Sequence, residues 1–136
     1  TDLCKEKGVK LVLIKAPTEY PYWYEQWDEQ VQQFADENGV DYINFIPLQN
    51  DIGLDMSQDT YDAGLHLNTT GAEKMADYFG QYLVENYNLT DYRNDSRYAS
   101  IWDKKEAAYD SMKQQQYDEL NKYGELKSFG ANAIQN

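Results

Sequence analysis

The one histidine of this 136-residue chain, His66, is the residue best suited to proton-transfer chemistry. Asp62 precedes it by four residues and Asp59 by seven. A carboxylate next to an imidazole fixes the tautomer of the ring and stabilises its protonated form, as the acid of a serine-hydrolase triad does. Gly64 gives the intervening loop freedom to turn Asp62 toward the ring. A structural hydrogen-bonded pair is the alternative, and these residues alone leave both interpretations open.

The elements around His66 are predicted to form a strand–helix–strand unit. Four consecutive apolar residues at 11–14 are typical of a parallel strand with both faces covered. Apolar residues at helical spacing predict a helix through about residue 38, and the segment 40–46 predicts a second strand. Loops beyond the carboxyl ends of such strands carry functional residues in open α/β sheets. The loop 47–68, which contains His66, is predicted to lie there.

Two helices are predicted after this loop. Thr70 and Glu73 fit a capping box, in which each side chain binds a backbone N–H of the first turn. A polar helix is predicted at about 101–122, followed by a frayed tail from residue 128.

Charge excludes two classes of partner. Residues 1–90 hold five basic and sixteen acidic residues, and no Lys or Arg lies between Lys15 and Lys74. Nucleic-acid grooves and anionic membrane surfaces require clustered basic residues, so neither partner is expected. An uninterrupted apolar run of about 18 residues is also absent, and membrane insertion is therefore not expected within this segment.

Three stretches of the sequence resemble the SGNH/GDSL hydrolases, in particular a bacterial branch of that family. The first stretch, residues 59–83, resembles the last conserved block of the family and reads DTYDAGLHLNTTGAEKMADYFGQYL. Similar segments are EKGVKLVLIKAPTEYPYW (6–23) and DYRNDSRYASIWDKKEAAY (91–109). The resemblance implies an α/β protein with a flavodoxin-like three-layer α/β/α sandwich and a parallel sheet. Residues 1–90 would be the C-terminal half of that domain, and 91–136 a helical extension and tail.

The resemblance also implies catalytic roles. His66 matches the base that takes the proton from a serine nucleophile, and Asp62 matches the acid that orients it. The family at large has this acid three residues before the histidine, whereas the gap here is four, so Asp59 remains the runner-up. Asn68 is interpreted as a residue that fixes the loop or the helix entry.

The nucleophile is expected to lie outside this chain. In the family it belongs to a Gly-Asp-Ser-like block after the first strand, and none of the five serines follows a strand in that way; they are Ser57, Ser96, Ser100, Ser111 and Ser128. A sheet with covered faces also needs about three strands. A missing N-terminal half or another chain is therefore expected to complete the sheet and supply the serine, and this chain alone should be inactive.

Aromatic residues follow the first strand and are candidates for substrate binding. Tyr22 and Tyr24 are interpreted as binding residues at the rim of the cleft. Trp23 and Trp27, four residues apart, are predicted to pack in the core. Lys15, which ends the strand, could contact substrate, but an exposed flanking lysine is the favoured interpretation.

The sequence thus favours a serine esterase or acyltransferase acting on an ester, such as an O-acetyl group on a glycan. An extracytoplasmic, bacterial setting is expected, with no cofactor and no metal. One alternative is a catalytically inactive binding module. Another is a Ca²⁺-stabilised domain that uses four loop carboxylates; they are Asp51, Asp55, Asp59 and Asp62.

Overall fold

A computed structural model describes residues 1–124 and 127–128 of the chain. It divides into two compact units, Thr1–Tyr87 and the residues from Asn88 onward. The elements are α1 (Asp2–Glu6), β1 (Val12–Lys15), α2 (Glu25–Asn38), β2 (Asp41–Asn44), α3 (Gln49–Ile52), α4 (Thr69–Tyr87) and α5 (Ser96–Tyr123).

The predicted strand–helix–strand unit is present. β1 and β2 pair in parallel, with a register that runs from Val12 opposite Asp41 to Lys15 opposite Asn44. The connecting helix α2 is attached to β2 through Asp28, which accepts hydrogen bonds from Tyr42 Oη at 2.5 Å and Asn44 Nδ2 at 2.9 Å. Both strands end at the same edge, so the loops after them start close together.

The predicted flavodoxin-like three-layer sandwich is wrong. The described residues are mostly helical, and their only sheet has two strands. Two strands offer too little width to bury a helical layer on each face. Apolar residues that a wider sheet would cover are accordingly open: Trp27 is 44% exposed and Ile14 of β1 is 52% exposed. The prediction that Trp27 packs in the core is therefore also wrong.

The core of the first unit lies where β2, α3 and α4 meet. Phe45, directly after β2, is fully buried, and its ring lies edge-on to Phe79 at 5.5 Å between centroids. The buried cluster consists of Ile43, Phe45, Ile52, Leu54 and Met56. Burial of such side chains contributes roughly 1.5–3 kcal/mol each, so this cluster fixes the base from which the His66 loop projects.

The second unit contains the predicted polar helix, with wider bounds. α5 starts after Asp95, whose side chain accepts a hydrogen bond from Arg97 N at 2.9 Å, and it ends before Gly124. The predicted tail from residue 128 lies outside the described residues except for Ser128 itself. Across the described part of the chain, no helix combines the length and the apolar character needed to cross a bilayer.

Candidate active site

His66 lies near the end of a tight reversal, residues 60–67, here named the histidine loop. Thr60 and Leu67 form an isolated antiparallel bridge, and Tyr61 N donates to His66 O at 3.2 Å. Thr60 Oγ1 accepts a hydrogen bond from Gly64 N at 2.9 Å, which closes the turn from inside. Gly64 has φ 92°, a conformation that side-chain-bearing residues rarely adopt. The loop geometry is therefore set by hydrogen bonds within the loop and by the conformation of Gly64.

Asp62 contacts His66 through both carboxylate oxygens. Oδ2 lies 2.5 Å from the ring Nδ1, and Oδ1 accepts a hydrogen bond from the backbone N–H of His66 at 2.7 Å. The His66 hydrogen bond holds the pKa of Asp62 below its usual value, so the carboxylate is ionised near neutral pH and can only accept. Nδ1 must then carry the proton, and in the neutral ring the lone pair is on Nε2.

The remaining surroundings of the His66 ring leave Nε2 open. Tyr61 stacks on the ring at 5.8 Å between centroids and 13° between planes. The His66 side chain is 68% exposed, and within residues 1–124 and 127–128 its Nε2 has no hydrogen-bond partner. An imidazole held on one nitrogen and open on the other has the arrangement of a general base.

His66 opens onto a groove of about 420 Å³ between the histidine loop and the segment that follows β1. Thr18 Oγ1 donates to Leu65 O at 3.0 Å, and Glu19 N donates to Gly64 O at 2.8 Å. These bonds join the two segments. The groove is lined by Lys15, Ala16, Pro17, Thr18, Tyr20, Leu65 and His66.

Asp59, the alternative acid for the triad, points elsewhere. It is 2% exposed and lies 2.6 Å from Lys74 Nζ of α4. Its Oδ2 also accepts a hydrogen bond from Asp55 N at 2.8 Å. The Lys74 hydrogen bond lowers the pKa of Asp59 against the opposing effect of burial. Asp59 thus attaches the loop to α4, and Asp62 is the acid in contact with His66.

Asn68 directly precedes α4 and caps its start, in agreement with its interpretation as a helix-entry residue. Its Oδ1 accepts a hydrogen bond from Gly71 N at 3.1 Å, and its Nδ2 donates to Gln58 O at 2.7 Å. The predicted cap at Thr70 is wrong, because α4 already starts at Thr69 and Asn68 provides the side-chain oxygen of the cap. His66 is therefore two residues from a fixed helix terminus.

Neither of the two tyrosines predicted to bind substrate, Tyr22 and Tyr24, lines the groove. Tyr22 is 56% exposed and packs edge-on against Tyr20 at 5.5 Å, whereas Tyr24 packs against Trp27 at 5.2 Å. Tyr20, which the sequence left unassigned, is the aromatic residue in the groove wall. Its position shortly after the end of β1, which it shares with Tyr22 and Tyr24, was the available signal.

Lys15 is also a groove residue, and the interpretation of it as a merely exposed flanking lysine is wrong. It is half-buried, and its Nζ lies 4.8 Å from the ring centroid of Trp23. Placement at the carboxyl end of a parallel strand was the signal that pointed to the groove.

The four aspartates of the calcium alternative do not converge. Asp59 pairs with Lys74, Asp62 with His66, and Asp55 accepts a hydrogen bond from Ser57 Oγ at 2.6 Å. Over the described ranges no cluster of three His, Cys, Asp or Glu side chains could hold a metal ion. The loop carboxylates serve local hydrogen bonds.

Ser57, the one serine of residues 1–87, does not serve His66 either. Its hydroxyl is directed to Asp55, and Ser57 is absent from the groove wall.

Comparison of the chain with protein-family models, curated proteins and solved structures yields no match.

Proposed function

We propose that this chain supplies the histidine and the acid for cleavage or transfer of an O-acyl ester through a serine ester intermediate. The observation that carries the proposal is the pairing of His66 Nδ1 with Asp62 at 2.5 Å in a residue that lines a groove and whose Nε2 has no hydrogen-bond partner in the described part of the chain. The similarity of residues 59–83 to the last block of the SGNH/GDSL hydrolases adds support. The serine would come from a polypeptide segment outside these 136 residues.

The proton steps follow from the protonation state of the pair. Nε2 takes the proton from the serine hydroxyl as its oxygen attacks the ester carbonyl. Asp62 then stabilises the imidazolium, which returns the proton to the departing alkoxide. Water or a second alcohol, deprotonated by the same Nε2, releases the acyl group. Water as acceptor makes the protein an esterase, and an alcohol makes it an acyltransferase.

An acylated glycan is the substrate class that we favour. Tyr20 lines the groove together with His66, and the ring of Tyr22 packs on that of Tyr20. Aromatic side chains combine an apolar body with a polar hydroxyl, which suits a sugar ring. Under this proposal the protein acts outside the cytoplasm, where acylated envelope or dietary glycans occur.

The test is release of acetate from an acetylated glycan by the native protein, expressed with the segments that accompany this chain in its gene. His66→Gln should lower kcat by about 10³–10⁶-fold, and Asp62→Asn by about 10²–10⁴-fold. Asp51→Asn is the matched control, because Asp51 is an exposed carboxylate of α3 outside the groove. Equal activity of the His66→Gln variant and the wild type would overturn the proposal.

A second candidate is a binding module for the same class of glycan. It is favoured by one observation: in residues 1–87 the histidine and acid are paired, but the single serine is bound to Asp55. Binding of an acetylated glycan by the native protein, with no acetate release, would support this candidate over the enzyme.

A further inference from the structure

The groove beside His66 carries one fixed positive charge and no carboxylate in its wall. The chain has 24 acidic residues, yet the seven lining residues include none. Lys15 is the basic residue among them. The wall itself therefore carries one fixed charge, whereas the Asp62 carboxylate contacts the His66 ring without being part of the wall.

Among the described residues, Lys15 has no carboxylate partner. Ion pairs with carboxylates are formed by Lys7, Lys10 and Lys74, whereas Lys15 forms none within ion-pair distance in that part of the chain. Its ammonium lies over the Trp23 ring at 4.8 Å, a contact that orients the charge without neutralising it. A half-buried ammonium retains strong hydrogen-bond donors for an anion that enters the groove.

We propose that Lys15 forms a subsite for a carboxylate or phosphate group carried by the substrate. Both groups accept charge-assisted hydrogen bonds from an ammonium, and lysine binds each as a point charge. The part of this assignment that concerns the ester rests on the proposed function. Under that function, Lys15 selects acylated sugars that bear an anionic group near the ester. Lys15 is a specificity residue and takes no part in the proton steps.

Direct binding by the full chain tests the subsite without requiring turnover. The probes are methyl glucuronide, glucose 6-phosphate and methyl glucoside, titrated by ligand-observed NMR. The two anionic sugars should bind about three- to tenfold more tightly than the neutral one at low salt. A higher affinity for the glucuronide would identify a carboxylate subsite, and a higher affinity for the sugar phosphate a phosphate subsite.

Variants assign the preference to Lys15. Lys15→Met should bind all three sugars equally, and Lys15→Arg should keep most of the preference. Lys5→Met removes the same charge outside the groove and should change nothing. His66→Gln should keep the preference as well, which separates the subsite from the histidine.

The outcomes distinguish the two proposals. Equal binding of neutral and anionic sugars, absence of binding by any of the three, or an unchanged preference in Lys15→Met would overturn the subsite. None of these results depends on ester cleavage. Conversely, an inactive native protein with a Lys15-dependent anion preference would refute the enzyme and retain the subsite.

Discussion

Asp62 binds His66 at two points, its ring Nδ1 at 2.5 Å and its backbone N–H at 2.7 Å. One carboxylate thus orders both the imidazole and the loop that carries it. The consequence is that ring orientation and loop conformation depend on the same ionised group, so a change at Asp62 affects both.

The contact should break only in strong acid. The His66 hydrogen bond lowers the pKa of Asp62 below its usual 3.8, so the contact is intact above that value and is lost as the pH falls through the lowered pKa. The His66 amide proton should show an inflection below pH 3.8 in an NMR titration. Asp62→Asn should lack this inflection; its persistence in that variant would contradict the assignment.

The ion pair of Asp59 and Lys74 should stabilise the first unit. Lys74→Met leaves a buried carboxylate without its cation and should lower the free energy of unfolding by about 1–3 kcal/mol near neutral pH, with allowance for the partial exposure of Lys74. The pKa of Asp59 is lowered in the folded state, so the pair contributes fully above 3.8 and loses its contribution as the pH falls further.

Urea unfolding of wild type and Lys74→Met across an acid pH series measures this effect. The difference in the free energy of unfolding between wild type and Lys74→Met should shrink as Asp59 becomes protonated. Lys5→Met, an exposed lysine in α1, should stay within about 0.5 kcal/mol of the wild type. A pH-independent difference would mean that the lysine stem, and not its charge, stabilises the loop.

Gly71 of α4 lies so close to the backbone of Asp59 that no side chain fits at this position. A Cβ at this position would lie 2.3 Å from Asp59 O, so Gly71→Ala should force the loop away from α4 at a cost of about 1–3 kcal/mol. Gly80→Ala is the matched control in the same helix, where a Cβ meets nothing within 4 Å. It should stabilise the helix by about 0.5–1 kcal/mol. Thermal unfolding measures the change in stability of both variants. A change of the same sign in the two would contradict this packing.

Asn68 and Thr70, two polar residues at the start of α4, should differ in how much they stabilise that helix. Asn68→Ala should cost about 0.5–2 kcal/mol, because Gly71 N–H loses its acceptor. Thr70→Ala should cost much less, since Thr70 is exposed within the first turn. Chemical denaturation that ranked the two variants in the opposite order would restore the capping box read from the sequence.

The local elements of the fold were predictable, because each leaves a signal within a few residues. The apolar run at 11–14 and the helical spacing before residue 38 predicted β1 and α2, and the strand at 40–46 contains β2. The absence of a three-layer sandwich was not predictable, because the sequences of two strands do not tell how many strands their sheet contains. Trp27 shows this limit: its spacing is that of a buried face, but no further strand covers it.

The candidate site was predictable in part for the same reason. Asp62 and His66 are close in sequence, and a turn at Gly64 brings them together. Their catalytic role remains a prediction. Asp59 could not be assigned from its spacing, because its partner Lys74 lies 15 residues later, on a helix. The positions of Lys15 and Tyr20 at and after the end of β1 were a signal for the groove. The contacts of Thr18 and Glu19 that complete it join segments distant in sequence, and no sequence pattern encodes them.

The most direct measurement is the tautomer of His66, read from ¹⁵N NMR of the ring nitrogens. The signals are unambiguous because the chain has one histidine. At a pH where the ring is neutral, the account predicts the proton on Nδ1 and an unprotonated Nε2, and a loss of that preference in Asp62→Asn. A proton on Nε2 in the wild type would contradict the central claim, since that nitrogen could not then act as the base.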